Sequence, residues 1–317
     1  MVRSLIKLVP LSGGGNNRGF RVEGAGLPFF LKAYARRPGD KRDRLKTEFE
    51  FCSFVWGQGL RSVPRPLAKD AQRHVGAYEY IEGRLLKEKD VTASRVKEAV
   101  RFFLDINKRR RTAAARRLGP ASEACFSIKA HLELVDGRVK RLRKISGTTP
   151  IHRAAARFVR EELKPVWEDT VAHVCASAAA QKLSLVAVLP QDRRCLSPSD
   201  FGFHNAILTR NGRLRFIDFE YAGWDDVAKT VCDFALQPRL RFPPKLLPRF
   251  SRPLLKHFGH AKEDLARARL LFPVFALKWC CIILNDFQRP AGKKRLERQL
   301  KKAKEYLKIA QGEYGVR

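Results

Sequence analysis

The first third of the chain is a succession of short apolar runs. Leu5-Ile6-Lys7-Leu8-Val9, Phe20-Arg21-Val22 and Phe29-Phe30-Leu31-Lys32-Ala33-Tyr34 each fit a β-strand. Ser12-Gly13-Gly14-Gly15-Asn16-Asn17-Arg18-Gly19 separates the first two and reads as a flexible turn. From about Asp40 to Trp56 the period changes. Leu45, Phe49, Cys52, Phe54, Val55 and Trp56 fall at helical spacing. Val63-Pro64-Arg65-Pro66-Leu67 marks a turn, and Val75 to Gly83 is a further apolar strand closed by a glycine. After Gly83 the pattern is mainly helical, over 92–117, 151–183 and 249–311, with Asp136-Gly137 read as a turn inside 132–142. One hairpin interrupts this stretch. Ala206-Ile207-Leu208 leads into Asn211-Gly212, and Leu214-Arg215-Phe216-Ile217 leads out. The expected organisation is α+β, with a β-rich segment over 1–83 and a larger helical segment over 84–317.

Composition narrows the class. A chain of 317 residues with 44% hydrophobic content can bury a substantial core. The N-terminus has only a brief apolar stretch broken by Lys7, so no signal peptide is expected. The longest apolar run, Leu270 to Leu284, contains Pro273 and Lys278 and reads as a buried helix rather than a membrane span. Seven cysteines without a C-x-x-C pair point to a reduced, cytoplasmic protein with no zinc site. The net charge of +32 would draw anionic partners. The basic residues are spread along the chain. Lys108-Arg109-Arg110-Arg111 with Arg116-Arg117 is the local concentration, an expected patch for an anionic membrane surface. No stacking-aromatic motif accompanies it, so nucleic acid is not an expected partner.

The chemistry concentrates at the hairpin. Asp200 and Asn205 precede it, in Ser197-Pro198-Ser199-Asp200-Phe201-Gly202-Phe203-His204-Asn205, and Ile217-Asp218-Phe219-Glu220 follows it. A hairpin brings its two ends together, so Asp200, Asn205 and Asp218 would converge. Two carboxylates and an amide oxygen are hard ligands suited to Mg²⁺ held with substrate phosphates. Phosphoryl transfer asks little more of a protein. For either aspartate alone, an Asx turn or a capping role is the plainer reading. Asp200-Phe201-Gly202 also spells the metal-binding triplet of protein kinases. In that reading a catalytic aspartate should stand some 20 residues upstream with an asparagine five positions later. Asp192 is the upstream aspartate nearby, and five residues on is Ser197, so the triplet is a decoy.

The segment 197–234 resembles the aminoglycoside phosphotransferase and choline kinase-like enzymes, which share a protein-kinase-like fold. Their catalytic loop usually reads H-G-D-x-x-x-x-N, followed by a hairpin and I-D-[FW]-E. The resemblance implies a bilobal fold, with a small β-rich N-lobe and a larger helical C-lobe, ATP and Mg²⁺ as cofactors, Asp200 as catalytic carboxylate, and Asn205 and Asp218 as metal ligands. Pro198 and Ser199 stand where the family has His and Gly. Tyr221-Ala222-Gly223-Trp224-Asp225-Asp226-Val227-Ala228 is similar to the family's A-G-x-G-D-P-A stretch, and Asp233 to its structural aspartate. Lys32 would touch the α/β-phosphates and pair with a glutamate of the following helix. Glu48 is preferred to Glu50, because residue 48 shares a face with the inward Cys52. Gly14 and Gly15 would approach phosphates. Glu79 and Ile81, near the expected inter-lobe connector, would meet the adenine through their backbones.

The acceptor is expected to be a hydroxyl of a small molecule bound over 225–290, with Asp225, Asp226, Trp279, Asn285 and Asp286 as candidates. The basic chain favours a neutral or anionic acceptor, such as a sugar or glycolipid precursor. An envelope glycolipid kinase on an anionic membrane surface, peripheral to its inner face, is an alternative. So is a catalytically weak kinase-like binding module. A protein kinase is the least favoured reading, given the short run from Asp218 to Asp233 without an A-P-E motif.

Overall fold

The computed structural model describes residues 6–11, 17–24, 26–36, 40, 42–147 and 149–313. The chain divides into two compact units. The first comprises Met1–Ser122 with Cys195–Trp224, and the second Glu123–Arg194 with Asp225–Arg317.

The first unit begins with strands β1 (Lys7–Leu11), β2 (Arg18–Glu23) and β3 (Phe29–Ala33), then helix α1 (Arg44–Gly57), β4 (Pro66–Asp70) and β5 (Val75–Glu79). These strands form an antiparallel sheet in the order β1-β2-β3-β5-β4. Alternation sends Lys32 of β3 to the buried side of the sheet, opposite Gly76. The Asp43 side chain caps α1 by accepting from the Lys46 amide at 2.9 Å. The apolar stripe of α1, with Leu45, Phe51, Cys52 and Val55, is buried.

Strand β6 (Gly83–Leu85) follows, then helices α2 (Ala93–Lys108) and α3 (Ala113–Arg116), capped by Thr92 and Thr112. The unit is completed by β7 (Cys195–Ser197), β8 (Ala206–Thr209), β9 (Leu214–Phe216) and the first two residues of β10 (Gly223–Asp225). Strands β8 and β9 are the hairpin expected from Asn211-Gly212, closed by the Gly212 amide on the Thr209 carbonyl at 2.9 Å. Strand β6 lies on the other edge of β8, and β7 pairs with β10. Gly83, at φ 156°, allows this approach, since a Cβ there would stand 2.5 Å from the Leu208 carbonyl oxygen.

An aromatic core holds these pieces in place. Phe102 of α2 stacks on Phe216 of β9 with ring centroids 4.5 Å apart. Phe201 packs on both, and Phe219 packs on Phe102 and on Phe51 of α1. Phe201 and Phe219 immediately follow Asp200 and Asp218, so this core positions both aspartates.

The second unit is helical. It contains α4 (Ile128–Leu142), α5 (Pro150–Phe158), α6 (Lys164–Ala180), α7 (Val227–Leu236), α8 (Leu247–Lys256), α9 (Ala261–Leu284) and α10 (Lys293–Lys308). Helix α4 corrects the expected turn at Asp136-Gly137. Ile128, Leu132, Val135, Val139 and Leu142 bury one continuous face. That burial outweighs the helix cost of one glycine, about 1 kcal/mol. The segment 261–288, which includes α9, is apolar and long enough to cross a membrane by length and composition, and 72% of its most apolar window is buried. It packs against α4, α6, α7, α8 and α10, as a core helix does.

Candidate active site

The site is built from β3, α1 and the two ends of the β8–β9 hairpin, all within the first unit. Lys32 is 6% exposed, and its Nζ donates to Glu48 Oε2 at 2.6 Å and to Asp218 Oδ1 at 2.5 Å. Glu220 Oε2 lies 3.8 Å away. Burial alone would lower the Lys32 pKa. Asp218, Glu48 and Glu220 outweigh it and hold the ammonium well above its ordinary value.

Glu48 does more than pair with the lysine. Its Oε2 also accepts from the Tyr34 hydroxyl at 2.8 Å, and Tyr34 in turn meets the Tyr78 hydroxyl at 2.8 Å. Its Oε1 accepts from the Phe219 amide at 3.2 Å. One buried carboxylate therefore ties β3 to the segment carrying Asp218. The helical-face argument for residue 48 over residue 50 agrees with this geometry.

Asp200 and Asn205 meet directly. Asn205 Nδ2 donates to the Asp200 carbonyl at 3.0 Å and to Asp200 Oδ2 at 3.3 Å. The Ile217 amide donates to the Asn205 carbonyl at 2.9 Å, which sets Asp218 beside this contact. Two local conformations shape the loop. Ser199 adopts φ 64° and Asp218 φ 68°, in the left-handed region. Ser199 is the position where the related loops carry glycine. Here its amide donates to Ser197 Oγ at 3.0 Å, which fixes the turn into Asp200. Asn107 of α2, fully buried, holds the strand before this loop. Its amide group bonds both the Leu196 amide, at 2.8 Å, and the Leu196 carbonyl, at 2.9 Å.

The donor set fits a hard divalent cation. Carboxylate oxygens of Glu48, Asp218 and Glu220 lie within 4.8 Å of one another, with the Lys32 ammonium among them, and Asp218 is the exposed one that can also turn to a cation. The Asn205 amide nitrogen is turned onto Asp200, so its carbonyl oxygen is the atom that a cation would meet. All of these are oxygen donors, as Mg²⁺ prefers.

Other expected residues fall as follows. Gly14 and Gly15 lie outside the described residues. Ile81 is buried. The Glu79 amide donates to the Arg65 carbonyl at 2.8 Å. Its side chain pairs with Arg215 at 2.8 Å. Two residues were not singled out from sequence. Glu220 is 3% exposed, and the Asn17 amide nitrogen donates to it. Asn17 also accepts from the Ala35 amide at 3.2 Å. The glutamate of I-D-F-E and the Asn after the glycine run were the available signals.

In the second unit, Asp225 and Asp226 are fully buried and paired, which corrects their reading as acceptor ligands. Asp225 accepts from Lys229 Nζ at 2.5 Å, and burial pushes its carboxyl up to about 6 against the pull of Lys229. Asp226 caps α7 through the Ala228 amide and bonds Arg267 at 2.7 Å and His131 at 3.2 Å. Trp279 donates its indole N–H to Asp233 at 3.0 Å, and Asp233 also takes Lys278. Asp286 is held by Arg295 at 2.7 Å. Asn285 is half-buried.

The sequence model of the phosphotransferase enzyme family matches residues 7–271. The chain belongs to this family. As a family phosphotransferase it also shares its fold with solved kinases. A spectinomycin phosphotransferase in complex with ADP and spectinomycin aligns with a TM-score of 0.64 at 11% identity, over 97% of this chain and 92% of that one. The choline kinase LicA from Streptococcus pneumoniae gives 0.61 at 14% identity, over 97% and 95%. A choline/ethanolamine kinase family protein from Mesorhizobium loti gives 0.58 at 18% identity, over 96% and 88%. These likenesses establish a kinase-like α+β fold for this phosphotransferase. No curated protein matches it in sequence.

Proposed function

We propose that this phosphotransferase moves the γ-phosphoryl group of ATP to a hydroxyl of a small molecule, a sugar or amino alcohol, with Asp200 as the catalytic carboxylate. The observation that carries the reading is the Lys32 ammonium shared by Glu48 and Asp218, at 2.6 and 2.5 Å, in a member of this family. Lys32, aligned by Glu48, meets the nucleotide phosphates. Asp218 and Asn205 hold Mg²⁺, which when bound neutralises charge on the phosphates. Asp200 orients the attacking hydroxyl and accepts its proton. Catalysis of this kind is positioning plus electrostatic stabilisation, and it needs no covalent intermediate. Mg·ATP turnover across a panel of sugars and amino alcohols tests the reading. Acceptor-dependent ADP release, lost in Asp200→Asn, is expected. Nucleotide binding without turnover for any acceptor would favour a kinase-like binding module.

The buried pairing of Asp225 and Asp226 removes two acidic groups from the acceptor set. This supports a neutral or anionic acceptor over a polycation. A second reading places the reaction at an anionic membrane surface, on a glycolipid acceptor. Its support is Arg109, Arg111, Arg116 and Arg117, all exposed within residues 109–117. Salt-sensitive sedimentation with anionic liposomes is the expected result, and no binding at low salt removes this reading.

A further inference from the structure

We infer that His204 is a positioning residue for Asp200, an inference that rests on the phosphotransfer reading above. The His204 imidazole Nε2 lies 3.3 Å from Asp200 Oδ1. The other carboxylate oxygen, Oδ2, takes Asn205 Nδ2 at the same distance. Each oxygen of the proposed catalytic carboxylate therefore has its own partner, and the two partners are consecutive residues.

The backbone explains how this arises. Gly202 is extended, and Phe203–Asn205 form a single 3-10 turn closed by the Asn205 amide on the Gly202 carbonyl at 3.1 Å. Phe201 and Phe203, buried at 3% and 4% exposure, anchor the loop on either side of the glycine. The turn carries residues 204 and 205 back over Asp200. A carboxylate rotates freely about its terminal bond, because that torsion is broad and two-fold. Contacts at both oxygens restrict that rotation, since turning the group would break both.

The burial of the imidazole is the second argument. The His204 side chain is 3% exposed, whereas that of Asp200 is 31% exposed. A buried imidazole needs a hydrogen-bond partner to offset its lost hydration. The Asp200 carboxylate is an acceptor only, so a hydrogen bond at this contact requires the proton on Nε2. Asp200 is thus held from the protein side and remains open to an incoming hydroxyl. Pro198 and Ser199 carry no ring donor before Asp200, and His204 provides one after it.

The test compares His204→Phe, which keeps the ring volume and removes the donor, with His204→Gln, which retains an N–H. ADP release from Mg·ATP is measured for each, with water or a sugar as acceptor. Calorimetric binding of Mg·ADP and the melting temperature accompany it. The expected result is a fall in kcat of about 10- to 100-fold for the Phe variant. ADP affinity should stay within about twofold of wild type, and the Gln variant should recover part of the loss. Unchanged kcat in the Phe variant overturns the inference. So does a loss matched by weaker ADP binding and not relieved by Gln. Nitrogen-15 NMR of the wild-type imidazole supplies an independent readout. A protonated Nε2 whose resonance moves in Asp200→Ala is expected, and an Nε2 without a proton overturns the inference even if both variants misfold. A wild-type chain that releases no ADP with any acceptor defeats the phosphotransfer reading, and the NMR result still decides the His204 contact.

Discussion

Lys32 and Asp218 are 186 residues apart in sequence and 2.5 Å apart in space, Nζ to Oδ1. Glu48 holds the same ammonium from the other side and also caps the Phe219 amide. The lysine therefore fixes the geometry of Asp218 as well as supplying charge. Lys32→Met should lower turnover by about 10²- to 10³-fold, the range for losing one electrostatic stabiliser. Steady-state kinetics with Mg·ATP checks this, and circular dichroism should show retained secondary structure.

Asn17, just before β2, links this strand to Glu220 and to the Ala35 amide. A hydrogen bond to a charged group contributes about 1.5–3 kcal/mol. Asn17→Ala releases Glu220, which lies beside Lys32, and should weaken ATP binding by roughly tenfold or more. Calorimetric titration with the non-hydrolysed analogue reads it directly, and unchanged affinity would remove Asn17 from the site.

Asn107 satisfies both backbone groups of Leu196 while fully buried. Asn107→Ala leaves an amide and a carbonyl without that partner, at about 1–3 kcal/mol each. The expected loss of about 2–6 kcal/mol should appear as a lower urea midpoint. It should also reduce turnover, since β7 leads into the Asp200 loop.

Acid should weaken the second unit through a buried histidine. His131 is buried, and burial lowers its pKa below 6.5 despite the pull of Asp226, while Arg267 and Lys229 oppose charging. The unfolded chain protonates this group first as pH falls, so stability present above 6.5 is lost below it. Asp225 acts in the opposite direction. Its folded pKa is raised to about 6 from 3.8, so its contribution grows as pH falls through that interval. Asp226 has a lowered pKa, and its stabilisation is lost only in stronger acid. Between pH 7 and 6 the urea midpoint should fall in the wild type and fall less in His131→Gln. Parallel curves for the two proteins would contradict this.

Much of the first unit was legible in the chain. Asn211-Gly212 between apolar runs gave the hairpin, because that pair supplies the positive φ a tight turn needs. Lys32 in an apolar strand, with Glu48 on a helical face 16 residues later, foreshadowed the ion pair. Periodicity was silent where a polar residue turns inward. Asn107 sits in an amphipathic helix and looks like a solvated position, and its role depends on a strand 89 residues away. The pairing of Lys229 and Lys278 with Asp225 and Asp233 was likewise illegible, since periodicity does not name the partner that a buried charge requires. Asp136-Gly137 misled for the opposite reason. A local turn signal was overridden by the apolar stripe around it.

The central claim is that Asp200 and Asp218 act on opposite parts of one Mg·ATP-dependent transfer. The most direct measurement is single-turnover phosphoryl transfer from labelled ATP, in wild type, Asp200→Asn and Asp218→Ala, alongside Mg²⁺-dependent nucleotide binding. Asp200→Asn should bind Mg·ATP normally and transfer about 10²- to 10⁴-fold more slowly. Asp218→Ala should lose the Mg²⁺-dependent part of binding as well. Folded variants that both transfer phosphate at the wild-type rate would contradict the account.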